Sequence, residues 1–272
     1  MRVAVVGHVE WIEFARVERV PPPGEIVHAL ETWEEVGGGG AVAAVQLARL
    51  AGECLFLTAL GDDATGHRSA QQLAELGVRI EPVWRPERQR RAFVHVDGDG
   101  ERTITVIGER LGPHGDDELP WQSLADCDAV YFTAGDGAAL GAARAARSLV
   151  ATARAREALG AGVQVDALVA SQSDPGERYA DGDLDPPPRA VVRTEGAGGG
   201  SVAVGEAVTR WEPVPLPGPV VDAYGAGDCF AAGLTFGLGN GLGIVEAAAV
   251  GAECGAACMT RRGPYGAHGG PL

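Results

Sequence analysis

Short β-branched runs alternate along this chain with Ala- and Leu-rich stretches whose apolar residues recur every three or four positions. VAVVG at 3–7, CLFLTALG at 54–61, DAVYFTAG at 128–135, VQVDALVA at 163–170 and AVVRT at 190–194 read as buried strands. AVAAVQLARLAG at 41–52, HRSAQQLAELG at 67–77 and AARAARSLVATARAREAL at 142–159 read as helices. Strand followed by helix, repeated, predicts a mostly parallel sheet covered on both faces, a doubly wound α/β sandwich. Two stretches break that rhythm. EWIEFARVERV at 10–20 and RAFVHVDGDGERTITVI at 91–107 alternate polar with apolar residues, and Asp97-Gly98-Asp99-Gly100 supplies a hairpin turn between two such runs. They predict a small sheet beside the main one, placed either as a lid or as an edge extension. The segment Asp174–Pro188, rich in Pro, Gly and Asp, predicts a loop.

Composition narrows the partners. A chain of 272 residues with 46% hydrophobic and 22% charged content suits one main α/β unit over residues 1–272. The net charge of -15 would repel a nucleic-acid backbone or an anionic membrane face, so neither is expected as a partner. An anionic substrate such as ATP would then need a local positive field from backbone N–H groups and metal. Five cysteines, odd in number and without paired CxxC spacing, suit a reduced cytoplasm; Cys254 and Cys258 share a face if their segment is helical. The opening MRVAVVG reads as a strand and not as a signal peptide, and no run is long enough to span a bilayer.

The segment richest in chemistry is VVDAYGAGDCFAAGLTFGLGNG at 220–241, where a strand end, a Gly-rich turn and a small-residue helix follow one another. Amides of Gly225, Ala226 and Gly227 at a helix start make an anion site. Asp228 opposes a phosphate there unless it accepts a proton from an attacking hydroxyl. Taken alone, Asp228 after a glycine turn reads as a helix cap.

The stretch Asp222-Ala223-Tyr224-Gly225-Ala226-Gly227-Asp228 resembles the Asp-Thr-x-Gly-Ala-Gly-Asp signature of the PfkB (ribokinase-like) family of carbohydrate and nucleoside kinases. The resemblance extends, in family order, through VAVVG, PPPGEIV at 21–27, the glycines at 37–40, GDDATGHRSAQQLAELGV at 61–78, DGDGERTI at 97–104, TEGAGG at 194–199 and GAACMTRRGPYGA at 255–267. It implies a three-layer α/β/α sandwich with a small β-sheet lid from about 9–35 and 90–108, and transfer of the γ-phosphoryl group of ATP to a hydroxyl of a sugar, sugar-like or nucleoside substrate. Asp228 would be the base, and the amides of Gly225, Ala226 and Gly227 the anion hole. Asp222 matches a position that often helps bind a monovalent cation, although Ala223 stands where the pattern has Thr. Asp174 and Glu177 match an Asn-x-x-Glu element that organises the water shell of Mg2+, with Asp for Asn. Thr194, Gly196, Gly198 and Gly199 match the nucleotide-side loop.

The substrate wall departs from the family pattern. Gly38 and Gly39 are present, but Ile12 stands where sugar kinases carry an aspartate, and Val42 where an asparagine follows the glycines. Glu10 is the expected compensating hydroxyl ligand. The chain is short for the family, with the loss placed between Val165 and Ala190. Two other functions compete. Gly135-x-Gly137-x-x-x-Gly141 after a strand resembles a dinucleotide fingerprint and would suit an NAD(P)-dependent oxidoreductase. A catalytically silent nucleotide- or metabolite-binding relative would suit the missing substrate residues. Trp11, Phe14 and Val17, if exposed, would let two copies pair into a homodimer through the lid.

Overall fold

The structure is a computed structural model that describes residues 1–266, so it stops one residue short of the end of the 255–267 motif. Its strands are β1 (Val3–Gly7), β2 (Glu10–Arg16), β3 (Glu31–Gly37), β4 (Cys54–Gly61), β5 (Val78–Arg85), β6 (Arg91–Val96), β7 (Arg102–Ile107), β8 (Ala129–Phe132), β9 (Ser148–Thr152), β10 (Ala167–Ser171), β11 (Val191–Thr194), β12 (Gly200–Val204) and β13 (Ala207–Trp211). Its helices are α1 (Gly39–Ala51), α2 (Ala64–Glu75), α3 (Gly137–Ala143), α4 (Arg156–Leu159), α5 (Ala226–Gly239) and α6 (Ile244–Met259).

The main sheet runs β13-β12-β11-β10-β9-β8-β1-β4-β5 and is parallel except where β12 and β13 add antiparallel strands at one edge. Successive residues of β1 point to opposite faces and feed two separate cores. Val3 and Val5 join the core that contains α1, α5 and α6, whereas Ala4 and Val6 join the one that contains α3 and α4. These are the expected three layers. The helices α5 and α6 approach closely through glycines: a Cβ on Gly251 would lie 2.7 Å from the Phe230 carbonyl oxygen, and one on Gly233 2.8 Å from Gly251 Cα.

The expected helix over 142–159 is not one element. It divides into the end of α3, the strand β9 and the single-turn α4. Leu149, Val150 and Ala151 are fully buried because β9 sits between β8 and β10 and has both faces covered. Ala-rich flanks hid a short buried strand whose apolar run carries no period of its own. Between β10 and β11, where the chain is short, the structure has a single 3-10 turn, Pro175–Glu177.

The second sheet runs β3-β2-β6-β7. Its inner face carries Ile12, Phe14, Ala92 and Val94, all buried. Phe14 stacks on Trp33, with ring centroids 4.7 Å apart, and meets Tyr224 of the core edge-on at 5.2 Å. Trp11, Phe14 and Val17 are therefore not an exposed apolar face, because packing against the chain's own core covers them. The exposed large apolar side chains of the lid are Ile26 and Leu30 in the connection between β2 and β3, and Ile104, Val106 and Ile107 on the edge strand β7. At the other end of the hairpin, the Ala223 amide donates to the Gly100 carbonyl at 3.0 Å, so the turn touches the strand end that leads to residues 225–228.

Candidate active site

In an open parallel sheet, a crevice forms where neighbouring strands send their connections to opposite faces. Here β1 lies between β4 and β8, and the crevice opens at the carboxyl ends of β1 and β8. Gly7 ends β1 and is so close to Thr133 that a Cβ there would collide with the Thr133 hydroxyl. The chain continues through His8 to Glu10, both buried. Gly38, with φ 85, allows the start of α1 to approach: a Cβ there would lie 3.0 Å from the Glu10 amide and 3.3 Å from the His8 ring. The Tyr224 hydroxyl accepts from the Gly38 amide at 3.0 Å and fixes this loop to the turn that follows.

That turn positions Asp228. Gly225 has φ 80, a left-handed conformation that suits glycine, and a side chain on it would press on Pro264 and on Val42. Val42 thus packs against the Gly225 turn. A Cβ on Gly227 would meet nothing within 4 Å, so the amide-bearing end of α5 borders open space. The Ala226 amide donates to the Ala223 carbonyl at 3.4 Å, whereas those of Gly225 and Gly227 make no backbone hydrogen bond among the described residues, and this is where the α5 dipole is positive.

Asp228, in the first turn of α5, keeps part of its surface open to the crevice. A Cβ on Gly39 would lie 2.8 Å from Asp228 Oδ1, so only a glycine leaves the carboxyl its room. Desolvation, reinforced by the negative charge of Glu177, pushes the Asp228 pKa up to about 7, while Arg102 and Arg154 partly counter it. Burial holds His8 well below its usual range, with help from Arg110, Arg90 and Arg154, so the imidazole is neutral. Glu10 is raised by burial against the opposing pull of Arg90, whose Nε lies 2.7 Å from Glu10 Oε1. The expected hydroxyl ligand is therefore already paired with a guanidinium.

On the far side of Asp228, Asp174 and Glu177 follow β10. Both pair with Arg154, Glu177 accepting from Arg154 Nε at 3.1 Å. Asp174 also caps the turn by accepting from the Gly176 amide at 2.8 Å. Asp222 is fully buried, and its carboxylate accepts from the amides of Tyr224 at 2.8 Å and Gly263 at 3.0 Å. Among the described residues no three His, Cys, Asp or Glu side chains are grouped as a metal cluster. Thr194 ends β11, and Gly196–Gly198 form a 3-10 turn that Gly199, φ 79, returns into β12. The residues expected on the nucleotide side and on the substrate side thus lie along one edge of the sheet, the carboxyl ends of its parallel strands, with Asp228 among them.

The alternative fingerprint fares differently. Asp136 accepts from the Ala139 amide at 2.8 Å and the Gly115 amide at 3.0 Å, so its own carboxylate occupies the start of α3 where a pyrophosphate would sit.

Four residues at this edge escaped the sequence: His8, Arg90, Arg110 and Arg154. Arg154 was hidden by the misread helix, since the carboxyl end of a strand delivers it to the crevice. The run Arg88-Gln89-Arg90-Arg91 was the available signal for Arg90.

A model of the pfkB family carbohydrate kinases matches residues 1–181 and 184–267. An ATP-dependent ribose-1-phosphate kinase of Halopiger xanaduensis is 30% identical over 190 residues, which span 67% of this chain and 57% of that protein. An acarbose 7(IV)-phosphotransferase of Actinoplanes is 46% identical over 74 residues, 26% of this chain and 25% of the relative. Among solved structures, a microbiome-derived acarbose kinase superposes with a TM-score of 0.79 at 24% identity, covering 96% of this chain and 93% of the other. A ribokinase of Arabidopsis thaliana, complexed with ribose and ATP, superposes with a TM-score of 0.74 at 21% identity, covering 97% and 94%. The fold is that of the ribokinases, and with the family model spanning nearly the whole sequence, this chain belongs to the pfkB family of carbohydrate kinases.

Proposed function

We propose that this protein is an ATP-dependent kinase that transfers the γ-phosphoryl group of ATP to a hydroxyl of a small sugar, sugar-like or nucleoside substrate, with residues 1–272 as one kinase unit. The observation that carries this is Asp228: a carboxyl at the amide-rich start of α5, given its space by Gly39 and holding its proton until about pH 7. A group that only capped a helix would gain nothing from so high a proton affinity.

In the reaction the acceptor hydroxyl gives its proton to Asp228 as its oxygen forms a bond to the γ-phosphorus, and the bond from that phosphorus to the β–γ bridging oxygen breaks, releasing ADP. The amides of residues 225–227 face the charge carried by the transferring group. The Thr194–Gly199 loop receives the nucleotide, and Gly38 and Gly39 let the sugar approach the backbone. Bound magnesium supplies neutralisation of the phosphate charge. Asp174 and Glu177 would hold its water shell: Arg154 holds both carboxylates in place, and the charge of Glu177 reaches Asp228. A monovalent cation at Asp222 would share a carboxylate that already accepts two amides. The free cysteines suit the cytoplasm, and no described helix is long and apolar enough to cross a membrane. A homodimer through the lid would be built on β7, whose Ile104, Val106 and Ile107 are exposed; mass by light scattering at micromolar concentration decides it.

The test is ADP release with Mg-ATP across a panel of sugars, nucleosides, polyols and their phosphates. At least one member should turn over, and Asp228→Asn should lower kcat by about 10²–10⁴-fold. Turnover that survives that change would remove Asp228 as the base. ATP binding without turnover of any member would favour the silent, metabolite-binding alternative.

A further inference from the structure

The wall beside Gly38 and Gly39 offers few polar side chains. Ile12 points into the core, where a Cβ on Gly37 would lie 2.6 Å from its Cγ1, and Val42 is buried against the Gly225 turn. His8 is the exception. It follows the last residue of β1 and is only 6% exposed. Its Nδ1 is a buried atom without a hydrogen-bond partner among the described residues, and its Nε2 lies 3.8 Å from Glu10 Oε1, beyond hydrogen-bonding distance.

The glycines at the start of α1 orient the ring. A Cβ on Gly38 would lie 3.3 Å from His8 Cδ2, and one on Gly39 would lie 3.6 Å from His8 Cε1. Nε2 is bonded to both of these carbons, so the edge of the imidazole that contains it runs along the glycine pair. The same Cβ position on Gly39 is 2.8 Å from Asp228 Oδ1, so His8 and the base border one notch that a glycine keeps open.

The protonation of the ring follows from its surroundings. Burial, with Arg110, Arg90 and Arg154 nearby, keeps it neutral, and a neutral imidazole has one N–H and one lone pair. A buried N–H without an acceptor is costlier than a buried lone pair, so the proton belongs on Nε2. The Nε2–H then faces Glu10 across a gap too wide for a hydrogen bond and narrow enough for one hydroxyl to bridge. That hydroxyl would accept from the imidazole and donate to the carboxylate.

We infer that His8 is a specificity-determining residue for the acceptor: together with Glu10 it binds the substrate hydroxyl adjacent to the one that Asp228 deprotonates. The acceptor is then a sugar or polyol with hydroxyls on neighbouring carbons, one held and the other phosphorylated. His8 transfers no proton in the reaction; it fixes which oxygen faces the base. The proposal rests on the kinase reading above and deepens it by naming the substrate feature that this wall selects.

The test compares the panel member of highest kcat/KM with its deoxy analogues, for example ribose with 2-deoxyribose, or glucose with 2- and 3-deoxyglucose. Loss of the neighbouring hydroxyl should lower kcat/KM by about 10²-fold in the unaltered protein. In His8→Ala the same loss should cost only about twofold, because the group that reads the hydroxyl has gone. His8→Asn, which keeps an N–H donor, should restore part of the penalty, and KM for ATP should stay the same in both variants. If His8→Ala lowers kcat/KM equally for an acceptor and its deoxy analogue, the ring only supports the fold and the proposal is overturned. A second readout needs no turnover. In Asp228→Asn, the imidazole nitrogen resonances that His8→Asn removes should show the proton on Nε2, and should shift when the panel sugars are added but not with ATP alone. Such a shift without turnover of any sugar would support the site even though the kinase assignment had failed. Resonances indifferent to every sugar would overturn the site itself.

Discussion

A carboxyl group that titrates near neutrality is ionised only in part at the pH where it must accept a proton. With Asp228 at about 7, kcat/KM should rise about tenfold per pH unit below that value and level off above it, read from rates between pH 5.5 and 8.5. An acid limb centred near pH 4 would mean that the carboxyl is solvated in the working enzyme. Gly39 bears on the same atom. Gly39→Ala places a methyl 2.8 Å from Asp228 Oδ1 and should lower kcat by about 10²-fold with ATP affinity kept, since a displaced base costs rate more than binding. At this scale the sequence was uneven. Asp228 was legible because its turn, helix start and glycines are contiguous. His8, Arg90, Arg110 and Arg154 were not, because four separate segments bring them together and none carries a motif. Glu10 was placed at the site, but its pairing with Arg90, eighty residues away in the chain, has no local trace.

Elements were more legible than their contacts. Alternation of buried runs with amphipathic segments was enough for the layers and the parallel sheet, and the Asp-Gly-Asp-Gly turn for the lid hairpin. β9 was lost because burial on both faces erases the period that tells a strand from a helix. The loop expected over 174–188 shows the opposite case, where polar and Pro-rich composition leaves only the 3-10 turn Pro175–Glu177 between β10 and β11. The glycines of α5 and α6 are a consequence of how tightly those helices meet. Gly251→Ala would push a methyl to 2.7 Å from the Phe230 carbonyl oxygen and should cost about 1–3 kcal/mol in chemical denaturation, from crowding rather than from helix propensity. An unchanged midpoint would mean that the two helices can separate without cost.

Across the whole molecule, two carboxyls respond to pH in the same sense. Asp228 and Glu35 both titrate at about 7 in the fold, chiefly because of burial, against about 4 when unfolded. Between those values the folded state binds more protons than the unfolded chain, so stability should fall as pH rises through the window. The ligand-free melting temperature is accordingly expected to be higher at pH 5.5 than at pH 8, and Glu35→Gln should flatten part of that slope. A melting temperature that climbs over the same range would contradict both assignments. Glu35 belongs to the lid and stands against Gly263 of the core, so its protonation bears on how the lid is seated. The hairpin tip has a related consequence. The amide of Ala223 is covered only while it donates to Gly100, and it lies five residues before Asp228. Its deuterium uptake is therefore a clock for lid opening, read at one peptide bond. Sugar and nucleotide bound together should slow it, whereas a rate indifferent to both would mean that the tip stays docked throughout the cycle.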